Sequence, residues 1–210
     1  MMQRYGKAHR MNTDGQKMHK CNASAVILAG GKGSRMGGVD KGMLDRKGEP
    51  IIAHIKRQLT ALFDEIIVGA SDRDKYAFLE CRVVPDLEAG RGPLMGIYSC
   101  LLASGNDVNF VTACDIPEMN PELIREMISL SSEADIVMPV SCGNKYEPLY
   151  AVYRRSVTDH IATLLKQDRR RIIDLFSLSR VKFVDFDHGK WYHNLNRRSA
   201  YLDYLKRVQK

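Results

Sequence analysis

The chain has 210 residues, 44% of them hydrophobic and 27% charged, and a formal net charge of +7. That length supports one well-cored domain, and no apolar run approaches the roughly 18 residues that a membrane-spanning helix needs. The positive charge sits at the two ends of the chain and leaves the middle slightly acidic, which argues against nucleic-acid binding, where basic residues gather on a folded recognition surface.

In chain order, residues 1–22 carry Arg4, Lys7, Arg10, Lys17 and Lys20 against Asp14. They lack the apolar centre of a signal peptide and read as a disordered basic tail. From Ser24 onward, short β-branched runs alternate with amphipathic ones. Strands are predicted over 25–29, 65–70, 82–86, 109–114 and 134–140. Helices are predicted over 50–63, 72–80, 92–104 and 121–130; in the first, Ile52, Ile55, Leu59 and Leu62 recur at helical spacing. Pro121 followed by Glu122 suits a helix start. Beyond residue 140 the alternation loosens into a strand over 147–155, a helix over 158–167, a strand over 180–187 and a closing helix over 198–209. No linker or internal repeat interrupts residues 23–210, so a single domain is expected. Its class is α/β: a mostly parallel central sheet with helices on both faces, hence three layers. In such sheets ligands bind beyond the carboxyl ends of the strands, so chemical residues should follow strands directly.

The five cysteines include no Cys-x-x-Cys pair, and among the six histidines only His188 and His193 lie close together. Neither a zinc site nor a disulfide framework is indicated, and a reducing cytoplasm fits best.

The stretch LAGGKGSRMGGVDK, residues 28–41, holds five glycines between 30 and 38. It follows a strand but fits neither the dinucleotide fingerprint nor the P-loop pattern. Glycines let backbone N–H groups close on a phosphate, and Lys32, Arg35 and Lys41 add positive charge around that cradle.

This loop closely resembles the signature loop of the molybdenum cofactor guanylyltransferases, the MobA family of nucleotidyltransferases. GEPIIAHI (48–55), VVPDLEAGRGPLMGIYS (83–99), FVTACDIPEM (110–119), EPLYAVYRR (147–155) and NLN (194–196) extend the resemblance over the whole chain from Ser24. It implies a Rossmann-like nucleotidyltransferase domain that transfers GMP from GTP to the terminal phosphate of molybdopterin and releases pyrophosphate, with Mg²⁺ as cofactor. Position by position, it implies that the backbone of Leu28, Ala29 and Gly30 meets the nucleoside. Gly31 to Gly37, Gly33 among them, would wrap the triphosphate, and Lys41 would contact phosphate. Ser71 and Asp86 would lie at the nucleotide, Asp115 would bind the nucleotide and the metal, and Asn194 and Asn196 would lie near the second substrate. Arg35, Lys41 and Asp115 are the catalytic candidates. The family continues Asn-x-Asn with Thr-Pro, where this chain has Arg197-Arg198.

These residues suit the chemistry. A phosphate monoester is already an oxyanion at neutral pH, so its attack on the α-phosphorus needs no protein base. Charge neutralisation and positioning are the task. Arg91, Arg154 and Arg155 are further candidates for holding the anionic acceptor, with ordinary solvated roles as the alternative. A cytidylyltransferase, another phosphorylated acceptor, or a non-catalytic nucleotide-binding adaptor that hands the cofactor to molybdenum apo-enzymes stays open. The expected partners are GTP, molybdopterin, cofactor-biosynthesis proteins and molybdenum apo-enzymes, with no nucleic acid or membrane.

Overall fold

Ser24–Leu28 (β1) is buried at all five positions, as a strand covered on both faces must be. A computed structural model describes residues 20–30, 40–141, 145–186 and 191–209. Residues 1–19, most of the basic tail, lie outside that set. Lys20 pairs with Asp64 at 2.7 Å, and Cys21 N donates to Leu62 O at 2.7 Å, which holds the start of the described chain against the domain.

After β1 come a short hairpin, Asp45–Arg46 (β2) and Glu49–Pro50 (β3), then Ile51–Thr60 (α1), Glu65–Gly69 (β4) and Arg82–Val84 (β5). Pro93–Ala103 (α2), Val108–Ala113 (β6), Pro121–Leu130 (α3) and Ile136–Ser141 (β7) follow. Lys145–Tyr146 (β8), Tyr150–Arg154 (β9), Thr158–Lys166 (α4), Val181–Phe186 (β10) and Arg198–Val208 (α5) complete the order. The sheet runs β10-β7-β9-β6-β1-β4-β5, with β8 paired to the end of β7. Strands β6, β1, β4 and β5 are mutually parallel, as are β7 and β10, while β9 is antiparallel to both of its neighbours. The mostly parallel three-layer architecture expected from the alternation is therefore present.

Helices α1 and α3 cover one face together with Tyr204 of α5; α2 and α4 cover the other. Ile51, Ile52, Ile55 and Leu59 form the buried stripe of α1, each withdrawing apolar surface worth about 1.5–3 kcal/mol. Phe110 of β6 anchors that layer, stacked on Phe63 and edge-on to Tyr150. Helix α2 is buried nearly all round because it lies between the sheet and α4. Its entry depends on Gly92, whose φ of +80° a side chain would resist, followed by Pro93 in the first turn.

The region expected as a helix over 72–80 is a 3-10 turn, Asp74–Leu79, that ends on Glu80 in a left-handed conformation. No strand is predicted over the β2–β3 hairpin, whose two-residue turn, Lys47-Gly48, takes positive φ at both positions.

Candidate active site

Because β6, β1, β4 and β5 are parallel neighbours, their carboxyl ends open on one edge of the sheet. Each releases an expected site residue there. Asp115 follows β6, Ala29 and Gly30 follow β1, Ser71 follows β4, and Asp86 follows β5.

Three of the expected residues, distant in sequence, meet at one point. Lys41 Nζ donates to Asp115 Oδ2 at 2.9 Å and to Asn196 Oδ1 at 2.6 Å. The Lys41 and Asp115 side chains are only 18% and 15% exposed. Leu195 N donates to Asp115 O at 2.8 Å, which lays the Asn194–Asn196 segment along the end of β6. Asn194 meets Tyr192 through its amide, while its Oδ1 is buried without a hydrogen-bond partner among the described residues. A cavity of about 260 Å³ opens beside it, lined in part by Tyr192, Tyr204 and Arg207.

Lys41 is held in place by a residue that the sequence reading did not single out. Asp40 caps the 3-10 turn Lys41–Met43 by accepting from Gly42 N at 2.9 Å. It also accepts from Tyr76 Oη at 2.6 Å and pairs with the Lys75 ammonium. Burial alone would raise its carboxyl, but the Lys75 and Tyr76 donors outweigh burial and hold it below the ordinary range. Tyr76 Oη also lies 3.5 Å from Ala29 O, so the end of β1 and the turn carrying Lys41 share one brace.

On the other face of β1, Leu28 and Asp86 converge where glycines leave room. A Cβ on Gly69 would stand 2.8 Å from Leu28 Cδ2 and 2.9 Å from Cys100 Sγ. One on Gly96 would stand 3.3 Å from Leu28 Cδ2 and 3.4 Å from Asp86 Oδ1. The half-buried Asp86 carboxyl is raised above its ordinary value by desolvation. Ser71 is exposed at the same edge. Cys114, beside Asp115, has its thiol pushed up to about 12 by burial and by the neighbouring carboxylates, so it remains an unreactive thiol.

Gly31, Gly33 and Arg35 lie outside the described residues, as does Lys32. Arg154 and Arg155 stand at the end of an antiparallel strand and hence on the opposite edge of the sheet. Arg154 pairs there with Asp107, and Arg155 donates to the carbonyls of Ser104 and Asn106. Arg91 is engaged by Asp168 and by Leu165 O, and Arg169 to Arg171 precede the 3-10 turn Ile172–Ser177.

Residues 25–181 match the protein family described as the MobA-like NTP transferase domain. The chain belongs to that family. It is 37% identical over 162 residues to a probable molybdenum cofactor guanylyltransferase of Pelotomaculum thermopropionicum, covering 77% of this chain and 78% of that protein. Against the molybdenum cofactor guanylyltransferase of Pseudomonas putida the identity is 35% over 136 residues, 64% of this chain and 71% of that one. The crystal structure of molybdopterin-guanine dinucleotide biosynthesis protein A from Archaeoglobus fulgidus superposes with a TM-score of 0.74 at 22% identity, covering 89% of this chain and 98% of that one, which shows a shared fold. The family match stops at residue 181, so the segment of this MobA-like NTP transferase that supplies Leu195, Asn196 and Tyr204 lies beyond it.

Nucleotidyltransferases of this family generally use a divalent metal. The donors at the point of convergence fit a hard cation. They are one carboxylate, from Asp115, and one carboxamide oxygen, from Asn196, and a cation, the Lys41 ammonium, already bridges the two. No group of three or more His, Cys, Asp and Glu placed to hold a metal ion is found among the described residues. A single carboxylate completed by water and substrate phosphates suits an oxygen-preferring ion far better than zinc.

Proposed function

We infer that this MobA-like NTP transferase moves GMP from GTP onto the terminal phosphate of molybdopterin and releases pyrophosphate. A phosphate oxygen of molybdopterin forms the new bond to the α-phosphorus of GTP. The bond from that phosphorus to the oxygen bridging the β-phosphate breaks, and the pyrophosphate departs with the electron pair. The observation that carries this reading is the meeting of Lys41, Asp115 and Asn196 at the carboxyl edge of the sheet. The curated relatives named as guanylyltransferases support it.

Residue roles follow from the chemistry. The backbone at Leu28, Ala29 and Gly30 borders the nucleoside, with Asp86 and Ser71 beside it. The glycine loop, including Gly31 and Gly33, wraps the phosphates. Lys41 and Arg35 neutralise charge on the triphosphate, Lys as a point charge and Arg as a fork. Asp115 would hold the divalent cation, proposed as Mg²⁺, which would supply positive charge to the triphosphate and the departing pyrophosphate. Asn194 and Asn196 orient the acceptor against Asp115. The nucleophile needs no deprotonation at neutral pH, so the site needs no general base.

GTP and molybdopterin are thus the small-molecule partners, and cytoplasmic location and delivery to molybdenum apo-enzymes are the corresponding cellular proposals. No helix among the described residues is long and apolar enough to cross a membrane. Pyrophosphate release measured with GTP and with CTP, each with molybdopterin and Mg²⁺, tests the reading. Turnover with GTP only upholds it; turnover with CTP only replaces guanine by cytosine, and turnover with neither rejects transferase activity.

A further inference from the structure

The segment that follows β6 carries Asp115 and then Ile116, Pro117, Glu118, Met119 and Asn120. It has no regular secondary structure, yet its polar side chains and several of its backbone groups are tied down. Asp115 O accepts from Leu195 N at 2.8 Å, and Ile116 N donates to Ala113 O at 3.2 Å. Gln58 of α1 uses both ends of its amide here. Its Nε2 donates to Pro117 O at 2.8 Å, and its Oε1 accepts from Met119 N at 3.0 Å, so one side chain straddles Glu118. Asn120 N donates to Tyr150 Oη at 2.9 Å.

Glu118 is the side chain on which the surrounding elements converge. Tyr204 of α5 donates its hydroxyl to Glu118 Oε1 at 2.6 Å, and Arg46 of the β2–β3 hairpin reaches the same oxygen at 3.4 Å. Arg46 Nε also donates to Tyr204 Oη at 2.6 Å. His54 of α1 places Nε2 at 3.3 Å from both carboxylate oxygens. Arg57 Nη2 lies 2.9 Å from His54 Nδ1, and because a guanidinium only donates, Nδ1 accepts and Nε2 carries the proton offered to Glu118. The consecutive β2–β3 hairpin and α1, together with α5, whose Tyr204 lies 158 residues beyond Arg46, therefore close on one carboxylate three residues after the one proposed to hold the metal.

We propose that Glu118 is a positioning residue for the transfer reaction. It fixes the Asp115 carboxylate by clamping the far end of a short segment whose near end is pinned by Leu195. Pro117, with its fixed φ, and the buried Ile116 leave little freedom between the two clamps. This rests on the role given to Asp115 under the guanylyltransferase reading. Its consequence is that the C-terminal helix, outside the family match, completes the active site through Tyr204.

The test compares the wild-type chain with Glu118→Gln, Tyr204→Phe and the double variant. Gln keeps the volume but turns an amide NH₂ toward the His54 donor; Phe removes the hydroxyl that joins Arg46 to Glu118. Steady-state transfer, thermal unfolding and Mn²⁺ binding with and without GTP, read from the free-ion electron paramagnetic resonance signal, are measured at a temperature where all variants are folded. Each single variant should lower kcat by about 10- to 100-fold, the scale of a misplacement near 1 Å, with the KM for GTP changed by less than about twofold. Each should weaken Mn²⁺ binding by roughly tenfold, and the double variant should be no worse than Glu118→Gln, since both act through one contact. Wild-type kcat and Mn²⁺ affinity in folded variants with lowered Tm would overturn the proposal and leave Glu118 a purely structural brace. A wild-type chain inert toward GTP rejects the guanylyltransferase reading separately, and the Mn²⁺ titration without nucleotide then still decides the positioning of Asp115.

Discussion

Lys41 has two partners that it must leave, at least in part, if it is to contact a triphosphate. Its ammonium sits on Asp115 and Asn196, where a metal carboxylate and an acceptor-facing amide are proposed. Lys41→Met should therefore act in opposite directions. With GTP and molybdopterin, kcat should fall by at least about 100-fold, the scale of losing one preorganised charge on the reacting phosphates. Without nucleotide, Mn²⁺ titrated by calorimetry should bind more tightly than to wild type, because Asp115 no longer has an ammonium to displace. Thermal unfolding should shift down by several degrees, because the largely buried Asp115 carboxylate loses its ammonium partner, and Mn²⁺ should restore part of that loss. A folded, fully active Lys41→Met chain would remove the residue from the mechanism. Asp86 presents the reverse balance. Its carboxyl is raised by desolvation, so the folded chain disfavours the charged form, a penalty that grows as pH rises above the ordinary carboxylate range. Asp86→Asn should therefore raise Tm at pH 7 while raising the KM for GTP. A variant with a lowered Tm and unchanged KM would show that Asp86 serves the fold.

At the scale of elements, α5 begins where this chain departs from the family pattern. Arg197 occupies the N-cap in extended geometry but makes no side-chain capping hydrogen bond, and Arg198 follows as the first helical residue. The family's Thr-Pro would supply a capping hydroxyl and a proline suited to the first turn. Two arginines instead bring positive charge to the positive end of the helix dipole. Arg197→Thr should stabilise the chain by about 0.5–2 kcal/mol, a shift of a few degrees in Tm on calorimetry. No change would mean that the Arg197 side chain has a compensating role. The long apolar elements were the legible ones. Strands β1, β4, β6 and β7 and helices α1 to α4 fall within a few residues of their expected bounds, because burial of a continuous run or a helical stripe leaves a periodic trace. The hairpin β2–β3, the 3-10 turns and β8 left little trace. They are two to six residues long, and their conformations are set by Asp40, Lys47-Gly48 and tertiary partners more than by periodicity.

The molecule as a whole is held at both edges of its sheet by carboxylates whose pKa values are depressed. At the amino edge, burial would raise Glu65, but Ser24, Gly105 and Ser104 outweigh it. At the carboxyl edge, burial opposes the His54, Tyr204 and Arg46 contacts of Glu118 and is likewise outweighed. Asp135, bound chiefly by Arg180 across β7 and β10, is lowered to about 2. For each of these the folded pKa lies below the unfolded one, so the stability they confer is complete above the ordinary carboxylate range, near pH 4 to 4.5, and is lost as pH falls through the folded values. Urea midpoints should hold from pH 7 to about 5 and then fall steadily toward pH 2, with Glu118→Gln flattening part of that fall. A midpoint that rises between pH 5 and 3 would contradict the carboxylate assignment. By itself the sequence determined the alternation of buried strands and amphipathic helices, the parallel sheet that follows from it, and an anion-holding loop after the first strand. These are local or periodic properties, written in residues near one another. Only the tertiary structure decided that Lys41, Asp115 and Asn196 meet, that Arg154 and Arg155 face away, and that Glu118 gathers Arg46, His54 and Tyr204. Such contacts join residues up to 158 positions apart, and strand order and direction, which no local pattern encodes, select which of them share an edge.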